Sequence, residues 1–183
     1  MKKNYEMDMC SGPILGKLLT FTIPLIFSGI LQLLFNAADV IVVGRFAGSQ
    51  SLAAVGSTTA LINLMINIFI GLSVGVNVIV ARYYGAKREK DVQDTIHTAM
   101  ALSIVSGLFL IVMGQLLSRP MLELMGTPDD VIDKSTIYMR IIFIGMPANM
   151  IYNFGSAILR AVGDTKRPLY FLTAAGVINV VLN

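Results

Sequence analysis

Residues 18–43 read LLTFTIPLIFSGILQLLFNAADVIVV, a stretch whose sole ionisable side chain is Asp39. A helix crossing roughly 30 Å of hydrocarbon needs about 20 predominantly apolar residues, and this run meets that length. An acid inside such a run costs roughly 2.5 to 3.5 kcal/mol on insertion scales, so residues of this kind usually face a cavity or an ion path. The stretch therefore predicts an all-α fold integral to a membrane, with Asp39 as the first candidate for function.

The rest of the chain repeats the pattern. It is 55% hydrophobic and 14% charged, with a mean hydropathy of +0.74, well outside the range of a soluble domain. Three more membrane-length runs occupy 53–81, 92–117 and 135–159, and a fifth opens at residue 169 and stays uncharged to 183. The expectation is four complete transmembrane helices and the start of a fifth. Because the last run ends without a cap or a basic flank, the chain reads as a fragment of a longer protein. Lys2 and Lys3 precede the first run as they would in a signal peptide. That run is too long for one and lacks a small-x-small cleavage site, so it is expected to stay as a helix. Cys10 is the sole cysteine, which excludes an internal disulfide and a zinc site built on several thiolates.

Charge sets the expected orientation. Lys2, Lys3 and Lys17 precede the first run, Arg82, Lys87, Arg88 and Lys90 follow the second, and Arg160, Lys166 and Arg167 follow the fourth. By the positive-inside rule these regions are cytoplasmic, and so is the N-terminus, in a cell membrane. The opposite side carries Arg45, Arg119 and Lys134 among the acids Glu123, Asp129, Asp130 and Asp133, and Arg140 lies early in the fourth run. The net charge of +3 thus belongs to cytoplasmic loops, and the expected partner is membrane lipid rather than nucleic acid. Glycine and proline punctuate 44–48, 84–86, 126–128 and 163–168 as helix stops. Segment 118–125 is amphipathic, and a short interfacial helix starting at Pro120 is expected there.

Polar residues inside the runs gather instead of scattering. Gln32, Asn36 and Asp39 share the first, Asn63 and Asn67 the second, Asn149 and Asn153 the fourth, and Asn179 and Asn183 the fifth. Spacing of four puts both amides of a pair on one helix face. Each pair can serve as glue between helices, at about 0.6 kcal/mol per hydrogen bond, or can line a cavity. Asp39 differs, since a carboxylate among amides and hydroxyls suits a hard cation such as sodium, and withdrawal from water also favours taking up a proton. Pro24 and Pro147 remove a backbone hydrogen bond within their runs and permit a bend, either for packing or as a hinge. Gly71 and Gly75 form a small-xxx-small pair, most simply a close helix contact. His97, near Asp94, stands alone and suits an interfacial hydrogen bond.

LRAVGDTKRP (159–168) resembles the signature closing the fourth helix of the multidrug and toxic compound extrusion (MATE) transporters. VVGRFAGSQSLAAVG (42–56), GLSVGVNVIVARYYGAKREKDV (71–92) and MLELMGTPDDV (121–131) resemble that family's first outer turn, second helix with inner loop, and outer loop, in family order. The resemblance implies a twelve-helix antiporter of two six-helix lobes, with residues 1–183 forming part of the N-terminal lobe and the C-terminal lobe as its missing partner. It implies a cation-coupled exporter of cationic amphipathic drugs or toxic metabolites, working by alternating access, with sodium or a proton as coupling ion and no cofactor. It puts Asp39 at the coupling position and Pro24 at the bending proline. Asn179 and Asn183 fall where the family's fifth helix carries an Asn and often an Asp, so the second carboxylate is missing here. The resemblance does not exclude a lipid-linked oligosaccharide flippase of the related superfamily, although such cavities usually hold more buried Arg and Lys than Arg140 alone. A nontransporting membrane scaffold is the reading from another class. An enzyme finds no support, because the sequence has no metal-ligand His cluster, no phosphate loop after a strand and no nucleophile elbow.

Overall fold

Every apolar run folds as helix because, in lipid, backbone N–H and C=O groups must find partners within their own segment. The computed structural model describes residues 7, 12–46 and 48–182. Lys2, Lys3, Cys10 and Asn183 therefore lie outside the described residues. Six helices follow in order: α1 (Ile14–Phe46), α2 (Gly48–Gly85), α3 (Glu89–Leu124), α4 (Asp129–Ile144), α5 (Met146–Ala161) and α6 (Lys166–Leu182). Among the described residues all regular structure is helical. The α1–α2 and α3–α4 turns lie at one end of the bundle, and the α2–α3 and α5–α6 turns at the other.

Of the four complete spans expected, three are single helices and the fourth is a bent pair. Three helices, α1, α2 and α3, are long and apolar enough to cross a membrane, and a fourth crossing exists only if α4 and α5 are taken together. The run 135–159 is broken: α4 and α5 meet at a bend of 47°. Pro147 in the first turn of α5 has no N–H to give and crowds the preceding turn. Gly145 closes α4 with a tight bond from its N–H to the Ile142 carbonyl, at 3.0 Å. Segment 118–125 is corrected the other way. Pro120 lies inside α3 and starts no separate helix. Ser118 and Leu122 on either side of it are fully buried, Ser118 donates to the Gly114 carbonyl, and Arg119 bonds Asp133 of α4 at 2.9 Å, so one continuous packing face carries the helix through the proline.

Close packing of α3 against the bent pair organises the core. Lipid tails are as apolar as leucine, so helices in a membrane associate through close backbone approach and shape fit more than through burial from water. Gly107 and Gly114, two turns apart on α3, supply that fit: a Cβ at Gly107 would run into the Pro147 backbone, and one at Gly114 into the Phe143 ring. Phe143, Met150, Phe154, Leu110 and Met139 fill the seam, each fully buried. α2 closes the group against α3, α4 and α5, whereas α1 packs mainly on α6 and secondarily on α2. The α1–α6 contact has its own notch, with the Phe35 ring where a Gly176 Cβ would be. Gly71 and Gly75, expected to make a close helix contact, instead face open space among the described residues.

The α5–α6 turn is fixed by Asp164, which is fully buried. Its Oδ1 accepts the backbone N–H groups of Lys166 at 3.1 Å and Arg167 at 3.0 Å, capping α6, and its Oδ2 faces the Arg167 guanidinium at 3.1 Å. Gly163 before it has φ +85, a left-handed conformation that suits glycine. The GDTKRP string is thus a helix stop and a helix start in one.

Two outcomes follow for thermal melting of the full-length protein in detergent. Gly114→Ala should cost about 1 to 3 kcal/mol through overpacking against Phe143, while Gly75→Ala should fall within about 1 kcal/mol of the parent or above it; equal melting of the two variants would contradict the notch. Asp164→Ala should cost about 1 to 2 kcal/mol by uncapping α6, and an unchanged melting temperature would show that the cap contributes nothing.

Candidate functional site

Asp39 lies toward the α1–α2 end of α1 and is half-buried. One turn further along α1 is Val43, which lines a cavity of about 320 Å³ together with Ser51 and Val55 of α2 and Lys134, Tyr138 and Ile141 of α4. α4 runs opposite to α1, so Lys134 stands near the level of Val43, and Tyr138, one turn on, near the level of Asp39. The cavity thus spans the level of the acid and reaches outward to Val43 and Lys134. Ser57 and Ser135 join α2 to α4 beside it, their hydroxyls 3.2 Å apart, and Lys134 Nζ donates to Gln50 Oε1 at 2.8 Å across the same two helices.

The other sequence candidates separate into groups. Gln32 and Asn36 precede Asp39 by about two turns and one turn of α1, on the same side, and both are exposed. Asn179 is exposed on α6. It lies three residues beyond Gly176, and Asp39 lies four beyond Phe35, so the Phe35–Gly176 contact brings the Asp39 and Asn179 positions to one level of two helices running the same way. Asn183 lies outside the described residues. Pro24 is buried inside an unbroken α1. It withholds an N–H from the Thr20 carbonyl, while Ser28 Oγ bonds back to the Pro24 carbonyl at 2.9 Å, a pairing that favours bending there.

The paired asparagines use their donors locally. Asn67 Nδ2 donates to the Asn63 carbonyl at 2.7 Å, and Asn153 Nδ2 donates to the Asn149 carbonyl at 2.9 Å and to its side-chain oxygen at 2.6 Å. These contacts lie within single helices, with Asn63, Asn67 and Asn149 exposed. Two polar residues with cross-helix roles escaped the sequence reading. Asn77 Nδ2 donates to the Ala157 carbonyl at 2.7 Å, tying α2 to α5. It has no amide partner four residues away, so a search for spaced pairs passes over it. Tyr138 was overlooked among apolar neighbours, although a phenol inside a span needs a polar partner and could have been singled out on that ground.

Chemically, the region offers a carboxylate on α1, one turn from a largely apolar cavity whose lining includes the Tyr138 phenol, the Ser51 hydroxyl and Lys134. Among the described residues, no three His, Cys, Asp or Glu side chains converge as a metal cage.

Comparison with known proteins agrees with this geometry. The chain is 36% identical over 162 residues to the probable multidrug resistance protein YoeA of Bacillus subtilis, an alignment covering 88% of this chain and 35% of that protein. Crystal structures of a MATE in its bent and straight conformations superpose with TM-scores of 0.82 and 0.83 at 27% and 26% identity, each over 91% of this chain and 37% of theirs. The chain therefore spans about a third of the length of the proteins it matches. The MatE family model matches residues 24–183, from the buried proline of α1 to the last residue, and on that match this integral membrane chain belongs to the MatE family.

Proposed function

We propose that this chain is the N-terminal transmembrane lobe, in part, of a cation-coupled antiporter that exports cationic amphipathic drugs or toxic metabolites by alternating access. The family's members are transporters and not enzymes. In this reading the α4–α5 pair is one bent crossing, α6 is the fifth helix, the N-terminus is cytoplasmic, and the second lobe is supplied by the rest of a longer protein. The observation that carries the reading is Asp39, a half-buried carboxylate in an apolar helix, one turn from a cavity. A buried acid has a stability cost that packing alone does not offset.

The coupling ion is a proton or sodium, held by Asp39 with Asn179 and Asn183 as neighbouring amides. Asn183 is neutral, so a single bound charge neutralises the site. Loading Asp39 changes the electrostatic balance between α1 and α4 and so biases α1 toward bending at Pro24. Ion and substrate are coupled only if each prefers a different access state, which is why the cavity and the carboxylate need to share one helix. A MATE solved in both a bent and a straight conformation supports a fold with two states.

In the full-length protein, Asp39→Asn should reduce gradient-driven efflux of a fluorescent organic cation to background while membrane insertion stays normal. Imposing proton and sodium gradients separately on the parent protein names the ion. Efflux by Asp39→Asn equal to that of the parent would sink the assignment.

A further inference from the structure

The cavity above Asp39 carries a positive charge at its rim that the coupling reading does not use. Lys134 lines it from α4, and its ammonium group is held by Gln50 Oε1 at 2.8 Å. Both side chains are exposed, and Gln50 is neutral, so it engages the ammonium group without cancelling its charge. Asp133, the adjacent acid, is bonded to Arg119 at 2.9 Å, and Arg119 also holds Glu123 at 3.0 Å. Among the described residues Lys134 makes no ion pair. Val43, Val55 and Ile141 make the walls apolar, and such walls focus a rim charge inward instead of dispersing it.

We propose that Lys134 is a specificity-determining residue, whose positive charge sets how readily the coupling cation reaches and occupies Asp39 from the α1–α2 end. This rests on Asp39 being the coupling carboxylate. By helix register the ammonium group stands about one turn outward of Tyr138, roughly 10 to 15 Å from Asp39. At an effective dielectric of about 25 to 35, a unit charge at that range changes cation occupancy by about three- to tenfold. Lys134 opposes loading, and so raises the cation concentration at which the site fills. The other charges at this end are Arg45 of α1, Arg119 and Glu123 of α3, and Asp129, Asp130, Asp133 and Arg140 of α4; α2 contributes the neutral Gln50 and Ser51. Lys134 is the cation among them that lines the cavity.

The test uses the full-length protein in proteoliposomes, reading the proton or sodium concentration that half-saturates efflux of a fluorescent organic cation. Lys134→Gln should lower that concentration about three- to tenfold, and Lys134→Arg should keep the parent value. An unchanged or raised value in Lys134→Gln, with Asp39→Asn inactive, overturns the role of Lys134 alone. Normal coupling in Asp39→Asn overturns the parent reading instead. Potassium chloride supplies a second arm that does not depend on the variant folding well. Screening should move the parent value in the same direction as Lys134→Gln, and a parent value that does not respond, or rises, overturns the proposal.

Discussion

The seam between α3 and the bent α4–α5 pair is the constraint on which the rest of the bundle depends. Two glycines on α3 let the Phe143 ring and the Pro147 backbone approach the helix surface directly. In a lipid solvent this close approach does the work that burial from water does in a soluble core. It also determines where the fourth run breaks. Pro147 introduces the bend, and Gly107 gives the bend a place to dock. α2 then closes over the seam, anchored by the Asn77 bond to Ala157 and the Ser57–Ser135 contact.

Against that rigid group, α1 is loosely held. In its most apolar stretch 6% of residues are buried, compared with 28% in α3. Its notch is on α6, at Phe35 and Gly176, and not on the α3 seam. Among the described residues, the helix bearing Asp39 is thus the least buried of the three membrane-length helices. Pro24 removes one of its backbone bonds and Ser28 weakens the same turn. In the proposed reading, a carboxylate on such a helix, one turn from a cavity lined by α1, α2 and α4, converts a change of one charge into a change of helix shape. A carboxylate fixed on α3 would lack that freedom.

Much of this was legible in the sequence, and the remainder failed for identifiable reasons. Hydropathy and length located α1, α2 and α3, because run length against membrane thickness is a strong local signal. The same signal merged α4 and α5, since composition does not report a 47° bend. Pro147 was recognised as a site of bending, but its consequence depended on Gly107, a residue far away in the chain. Pro120 misled in the opposite sense: proline is a local cue, while the continuity of α3 is set by tertiary packing at Ser118 and Leu122. Gly71 and Gly75 showed the expected spacing and no contact among the described residues, whereas Gly107 and Gly114, each four residues from a buried serine, Ser103 and Ser118, made the close contacts. Asp39 stood out at once because charge in an apolar run is rare. Tyr138 and Lys134 did not, because their importance lies in which helix they face.

The central claim is that Asp39 changes its protonation or ion-bound state within the working protein. Difference infrared spectroscopy of the full-length protein in lipid measures this directly, by following carboxyl bands as pH or sodium is stepped. The account predicts a band that appears or shifts with the coupling ion and disappears in Asp39→Asn. A difference spectrum identical in parent and variant would contradict it.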